Sequence, residues 1–244
     1  MAAPWLRPLP VRAIREREDG RVDRSTWPAT LPAVRQLLDD GLEPGQLTIL
    51  VGENGTGKST IVEAVALAYG LSPEGGSTGA RHSTRVSESS LHAALQLTRG
   101  VGASRWGYFL RAETTHGLFS YLEENPSPRS GDPDFHALSH GESFLAMLST
   151  NRFAGGGLFV LDEPEAGLSF ITQLTLVDHL SELAADPRSQ VIMATHSPVL
   201  AATPGADLLQ LDADGLHPTS WADLAVVDHY RRFLAEPKRY LRST

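Results

Sequence analysis

Eight residues, Gly52-Glu53-Asn54-Gly55-Thr56-Gly57-Lys58-Ser59, carry the spacing G-x-x-x-x-G-K-[ST]. Glycines at 52, 55 and 57 let a backbone curl until its N–H groups converge on one centre, where they can cradle phosphate oxygens. A helix opening behind such a turn adds the positive end of its dipole. Lys58 would then reach the β- and γ-phosphates and the Ser59 hydroxyl would ligate Mg²⁺. Glu53, Asn54, Thr56 and Thr60 complete the candidate nucleotide-binding run. Lys58 and Lys238 are the chain's two lysines, all other basic side chains being arginine or histidine, so Lys58 stands out.

A second cluster follows the apolar run Leu158-Phe-Val-Leu161. Asp162 and Glu163 sit where that strand must end, since Pro164 stops it. Carboxylates at the C-terminal edge of a strand lie where ligands bind in open α/β sheets. Asp162 would hold the metal, directly or through water, and Glu163 would polarise an attacking water as general base. A third chemical residue, His196, closes the apolar run Val191-Ile-Met-Ala-Thr195. At the end of a buried strand on the same edge, its ring could donate a hydrogen bond to a γ-phosphate. A fourth motif, Leu138-Ser139-His140-Gly141-Glu142-Ser143-Phe144, contains the S-x-x-E spacing of a capping box, which opens a helix.

These groups need elements to position them. Leu31 to Asp40 has apolar residues at 31, 34, 37 and 38, helical spacing closed by Gly41. Gln46 to Val51 reads as a strand, and Ser59 to Tyr69 as a helix ending at Gly70. Residues 71 to 90 read as a loop, 91 to 98 as a helix or strand edge, 106 to 111 as a strand, and 125 to 133 as the most loop-like stretch. A helix is expected from Glu142 to Leu148 and strands over 157–162, 190–195 and 207–211. Ile171 to Ala185, with apolar residues at 174, 177, 180 and 183, reads as an amphipathic helix, and Phe233 and Leu234 fall in a last helical segment. Short apolar strands alternating with helices predict an α/β fold, a mostly parallel central sheet covered on both faces.

Composition bounds the rest. The chain has 244 residues, 41% of them apolar and 20% charged, which excludes a disordered or fibrous protein. It contains no cysteine, so disulfides and thiolate metal sites are excluded. The start lacks the apolar core of a secretory signal, and no apolar run reaches the length of a membrane span, so a cytoplasmic protein is expected. A net charge of −8 argues against broad nonspecific nucleic-acid binding. Arginines at 7, 12, 15, 17, 21 and 24 make the N-terminus locally basic, diluted by Glu16, Glu18, Asp19 and Asp23; either a solvated face or a polyanion contact is compatible with that pattern.

Taken in order, GENGTGKST, LSHGE, LFVLDEP and ATHS resemble the ABC-type ATPases, in which LSGGQ or LSGGE is the signature motif. The phrases FLRAE, SHGESFL, LDEPEAGLS and ATHSPVL are similar to those of small stand-alone bacterial proteins described as predicted ATPases, over residues 28 to 235. The resemblance implies a P-loop ATPase domain spanning 1–244, with residues 1–27 as an N-terminal arm or edge strands and 114–150 as a short helical subdomain. It implies ATP and Mg²⁺ as ligands and an ATP-sandwiched head-to-tail homodimer. In that dimer Ser139, the N–H of Gly141 and Glu142 would meet the γ-phosphate bound by a second subunit. Glu165 to Ser169 matches the D-loop, which crosses the dimer interface. The segment after WGYFLR should be the Q-loop; its usual glutamine is missing, and Glu113, beside Arg111, is the nearest candidate for the metal-sensing role. His140 replaces the signature's usual glycine. Trp27 is the candidate to stack on adenine. Only 25 residues separate Glu113 from Ser139, too few for a large coupling subdomain or for long coiled-coil arms. An unidentified protein partner is expected and a nucleic-acid partner is possible. A P-loop kinase and a slow, nucleotide-gated binding module are the other readings of the same motifs.

Overall fold

A computed structural model describes residues 8–78, 89–124 and 132–241. In chain order the main elements are β1 (Ala13–Glu16), α1 (Pro32–Asp40), β2 (Leu47–Gly52), α2 (Lys58–Tyr69), β3 (Gly76–Ser77), α3 (Leu91–Ala94), β4 (Leu95–Thr98) and β5 (Gly107–Arg111). They continue with α4 (Thr115–Glu124), α5 (His140–Leu148), β6 (Leu158–Asp162), α6 (Phe170–Ala185), β7 (Gln190–Thr195), β8 (Asp207–Asp212), β9 (Gly215–Thr219) and α7 (Ala225–Ala235).

The apolar runs 47–52, 158–162 and 190–195 form the middle of a seven-stranded sheet of order β3-β5-β6-β7-β2-β8-β9. Its five central strands are parallel, and β3 and β9 close the edges antiparallel. Alternation along each strand sends residues to opposite faces. Leu50, Val160, Ile192 and Ala194 face α1 and α2 in one apolar cluster. Leu47, Ile49, Phe159, Leu161, Val191 and Met193 face a second cluster that includes Phe119, Phe144, Met147, Leu176 and Leu180. The sheet is covered on both faces, as expected from its unbroken apolar strands.

Strand β7 lies between β2 and β6, although it follows both in sequence. The segment after β7 therefore emerges between the phosphate loop that ends β2 and the acidic pair that ends β6. That order places His196 in the middle of the functional edge.

Several elements differ from the sequence-based expectation. The stretch 91–98 is neither one helix nor one strand: α3 passes into β4, which pairs antiparallel with β1 in a separate two-stranded sheet. Helix α4 lies within 114–150, the stretch expected to be helical, though its own bounds were not read from the sequence; its buried Leu118, Phe119 and Leu122 carry helical spacing. The loop expected over 71–90 contains β3, and the hairpin partner β9 was also not anticipated. Helix α6 buries Leu176 and Leu180, while Leu174, expected on the inner face, is 42% exposed. The first turns of α6 face outward toward α7, so Leu174 lines a surface groove with Tyr230 and Leu234.

The N-terminal segment is tied down by Gln190, whose buried amide accepts from the Val11 N–H at 2.7 Å and donates to the carbonyls of Val11 and Gly45. Its arginines are engaged locally: Arg15 pairs with Glu43, Arg17 with Asp19, and Arg24 with Glu16 and Asp39. Most of the stretch 125–133 lies outside the described residues. Among the described residues no helix is long and apolar enough to cross a membrane.

Candidate phosphate and metal site

The phosphate loop is shaped by close approach and positive φ. A side chain at Gly52 would meet the Leu211 carbonyl at 2.4 Å and the Thr56 hydroxyl at 2.9 Å, so β8 packs against the loop's entry too closely for any Cβ. Gly57 has φ +98°, and a Cβ there would press on Val34 and Leu31. Helix α1 thus backs the loop, which is why its apolar stripe matters to the site. Trp27, four residues before Leu31, is 54% exposed. Glu53 caps the turn internally: its carbonyl accepts from Thr56 Oγ1 at 2.9 Å and from Lys58 Nζ at 2.9 Å. No side chain caps the N-terminus of α2, so its first N–H groups are available to an anion.

Lys58 is 3% exposed. Burial lowers its pKa from the ordinary lysine value, opposed by the carboxylates of Glu163, Asp162, Glu165 and Glu53, in that order. The carboxylates thus favour the charged form of an ammonium that burial disfavours.

Asp162 ends β6 opposite Arg111, which ends β5 in the same register. The Arg111 guanidinium lies between two buried carboxylates: Nη1 donates to Glu63 Oε2 at 3.0 Å, and Nε is 3.4 Å from Asp162 Oδ2. Glu63 projects from α2 one turn beyond Ser59. Sequence analysis gave neither residue a role of its own. The available signal was Glu63 itself, a single acid in an otherwise apolar helical run, which requires a buried counter-charge.

Glu163 is the one non-glycine residue with positive φ, +49°, among the described residues. That conformation is sparsely populated for a residue that carries a Cβ and must be held by its surroundings. Its N–H donates to the Ala194 carbonyl at 2.9 Å, and its own carbonyl accepts from Ala166 N–H at 3.0 Å. The resulting sharp turn brings its Oε1 to 2.9 Å from His196 Nε2. The structure therefore sets His196 on Glu163. The expected γ-phosphate contact of His196 would be made from this position. Glu165 reaches across the same turn, its Oε1 accepting from the backbone N–H groups of His196 at 2.6 Å and Ser197 at 3.1 Å.

A hydroxyl at the start of α2 and a carboxylate at the end of β6 form a hard-oxygen donor set that suits Mg²⁺. Among the described residues no group of three or more His, Cys, Asp or Glu side chains could hold a metal alone. A cation at Ser59 and Asp162 would complete its shell with phosphate oxygens and water. Glu113 lies just beyond β5, but its side chain lies outside the described residues.

Ser139 caps α5 in a complete capping box. Glu142 N–H donates to Ser139 Oγ, Ser139 N–H donates to Glu142 Oε2 at 2.9 Å, and the Ser139 hydroxyl also donates to that oxygen at 2.5 Å. These hydrogen bonds, the side-chain one foremost, hold the Glu142 carboxyl below its ordinary pKa. Gly141 faces the next motif: a Cβ there would touch Thr172 and Leu168. The starts of α5 and α6 thus lie side by side. Beyond them Phe170 and Ile171 are 60% and 68% exposed. Phe170 borders a groove of about 900 Å³ whose wall includes Glu165, His196, Trp221 and Tyr230.

With this geometry in place, comparison with known proteins is informative. A family model described as "AAA domain, putative AbiEii toxin, Type IV TA system" matches residues 134–202, and a second, described as "AAA domain", matches 40–101. The first covers the signature-like motif, the acidic pair and His196; the second covers the phosphate loop. The chain is similar to the zinc import ATP-binding protein ZnuC of Pseudomonas syringae pv. syringae, 27% identical over 165 residues, and to that of Yersinia enterocolitica, 29% identical over 166. Each alignment covers 66% of this chain, and they cover 62% and 65% of the two relatives, under two thirds of their length. Among solved structures, cbiO1 from Clostridium perfringens, titled as part of the ABC transporter complex cbiONQ, aligns with a TM-score of 0.45 at 14% identity, covering 82% of this chain and 87% of that one.

Proposed function

We infer that this chain, a P-loop protein of the ABC ATPase type, binds MgATP and hydrolyses it, working as an ATP-sandwiched head-to-tail homodimer that drives an unidentified protein partner. The observation that carries the reading is the convergence at one sheet edge of a buried Lys58, an uncapped helix N-terminus and the Glu163–His196 pair.

Gly55, Gly57 and the first N–H groups of α2 would cradle the β-phosphate, with Lys58 exchanging its contact with the Glu53 carbonyl for phosphate oxygens. Mg²⁺ held by Ser59 and Asp162 would neutralise charge on the β- and γ-phosphates. Glu163 accepts the proton of the water whose oxygen attacks the γ-phosphorus. The bond from that phosphorus to the bridging oxygen breaks and ADP leaves. His196 holds the Glu163 carboxylate in place, and its ring would meet the γ-phosphate from there. Trp27 is the candidate adenine platform.

The dimer reading is supported by the exposed Ser139–Glu142 turn, which lies beside the Glu165–Ser169 loop, and by the apolar Phe170 and Ile171 next to it. Exposed apolar side chains grouped at one place mark a face for another chain. A slow nucleotide-gated module is the second reading. In the single chain the Ser139 hydroxyl is engaged by Glu142, so it must change partner before it meets a phosphate.

The test is the solution mass of Glu163→Gln with and without MgATP. The substitution removes the base and keeps the shape, so a closed dimer should accumulate only with MgATP. A mass that never changes would refute the sandwich, and phosphate transferred to a small acceptor rather than to water would establish a kinase.

A further inference from the structure

We propose that Glu165 is a positioning residue, a latch whose side chain couples the interface loop Glu165–Ser169 to His196 and, through it, to Glu163. The proposal rests on the hydrolytic reading above and names how that site is regulated.

The latch is built from backbone and side-chain contacts that cross between two elements. Glu165 Oε1 accepts from the N–H groups of both His196 and Ser197. The Ser197 hydroxyl donates to Gln173 Oε1 at 2.6 Å, and Gln173 Nε2 donates back to the Leu168 carbonyl at 3.2 Å. Leu168 lies against Gly141 of the signature-like turn. A continuous path therefore runs from the start of α5, through the interface loop and the first turns of α6, to the backbone that carries the imidazole. The imidazole in turn meets Glu163 at 2.9 Å. A displacement of the 165–169 loop by a second subunit would pull on the backbone of His196 and Ser197, because Glu165 Oε1 holds both of their N–H groups.

Glu165 Oε2 is buried and has no hydrogen-bond partner. A glutamine could satisfy the same two N–H groups without burying half of a carboxylate, which costs stability. What the contact needs is reach rather than charge: Oε1 must span from the acidic turn to the loop after β7.

That distinction gives the experiment. Glu165→Gln keeps the length and loses the charge; Glu165→Asp keeps the charge and shortens the side chain by one methylene. For the full chain, kcat should fall about 10- to 100-fold in Glu165→Asp and Glu165→Ala, while KM for MgATP and the dissociation constant of a fluorescent ATP analogue change less than about 3-fold. Glu165→Gln should recover to within about 3-fold of the parent. In a His196→Ala background, Glu165→Asp should add less than about 3-fold, because residues acting through one another are not additive. Rescue by Asp and not by Gln would overturn the latch in favour of a direct electrostatic role. Losses that multiply in the double variant, or unchanged kcat in Glu165→Asp, would also overturn it. If the parent binds MgATP and does not hydrolyse it, the hydrolytic reading itself fails and the latch with it. If the parent hydrolyses normally and Glu165→Asp does too, the latch alone fails. Glu165→Asp and Glu165→Gln carry the test should Glu165→Ala not fold.

Discussion

The phosphate loop and the signature-like turn both end at a helix N-terminus, yet they are finished differently. At α2 no side chain caps the helix, Lys58 is buried, and nearby carboxylates face it. At α5 the capping box is closed within four residues, Ser139 is exposed, and Glu142 already holds its hydroxyl. The first leaves its helix-end N–H groups open beside a buried lysine. The second satisfies its own hydrogen bonds within one turn. A helix end that completes its own hydrogen bonds is a stable local unit; one left open among buried charges is a binding site held ready by the fold.

The largest effect expected from this contrast is at Lys58. Lys58→Ala should abolish MgATP binding in equilibrium titration, because no other described lysine faces the loop; retained tight binding would break the contrast at its first half. Next is Glu163→Gln, whose turnover should fall about 10²- to 10⁴-fold with nucleotide binding intact, as for loss of a general base. A phosphate-release assay beside a binding titration separates the two.

Ser139→Arg places bulk and charge on the exposed turn. It should leave nucleotide binding unchanged and block turnover, since the fault falls on the neighbour's nucleotide. Mixing it with Lys58→Ala sharpens the test: a mixed dimer has one intact phosphate loop facing one intact signature turn, so some turnover should return. No recovery in the mixture, or normal hydrolysis by Ser139→Arg alone, would mean that the turn does not act across subunits.

The smallest effect is the pH response of the capping box. Glu142 has a folded pKa below its unfolded value, so its contribution to α5 is full above the unfolded value near 4.5 and is lost as pH falls through the folded one. Amide protection at the start of α5, taken relative to the intrinsic exchange rate at each pH, should fall on acidification in the parent, and Glu142→Gln should remove that pH dependence. An unchanged profile in the variant would show that the box is not coupled to the helix.

Much of the candidate site was legible before any coordinates. The phosphate loop has a strict spacing, flanked by a strand and a helix that the apolar pattern identifies independently. Asp162, Glu163 and His196 each end an apolar run, and in a parallel sheet such ends share one edge. Arg111 and Glu63 were not legible as a pair, because 48 residues separate them and only the packing of α2 on the sheet brings them together. Leu174 illustrates the opposite error: helical spacing showed an apolar stripe on α6 but not which part of it the sheet would cover.

By itself the sequence determined the chemistry available and the local geometry able to present it: glycine positions, helix starts, strand ends and the absence of thiols. These follow from interactions within a few residues, where covalent connectivity already brings the groups together. Tertiary structure alone decided that β7 enters between β2 and β6, that Glu163 adopts a left-handed turn against His196, and that Glu165 reaches the loop beyond β7. Those contacts join residues some 30 or more positions apart, and their geometry is set by how sheets and helices pack, which no local spacing encodes.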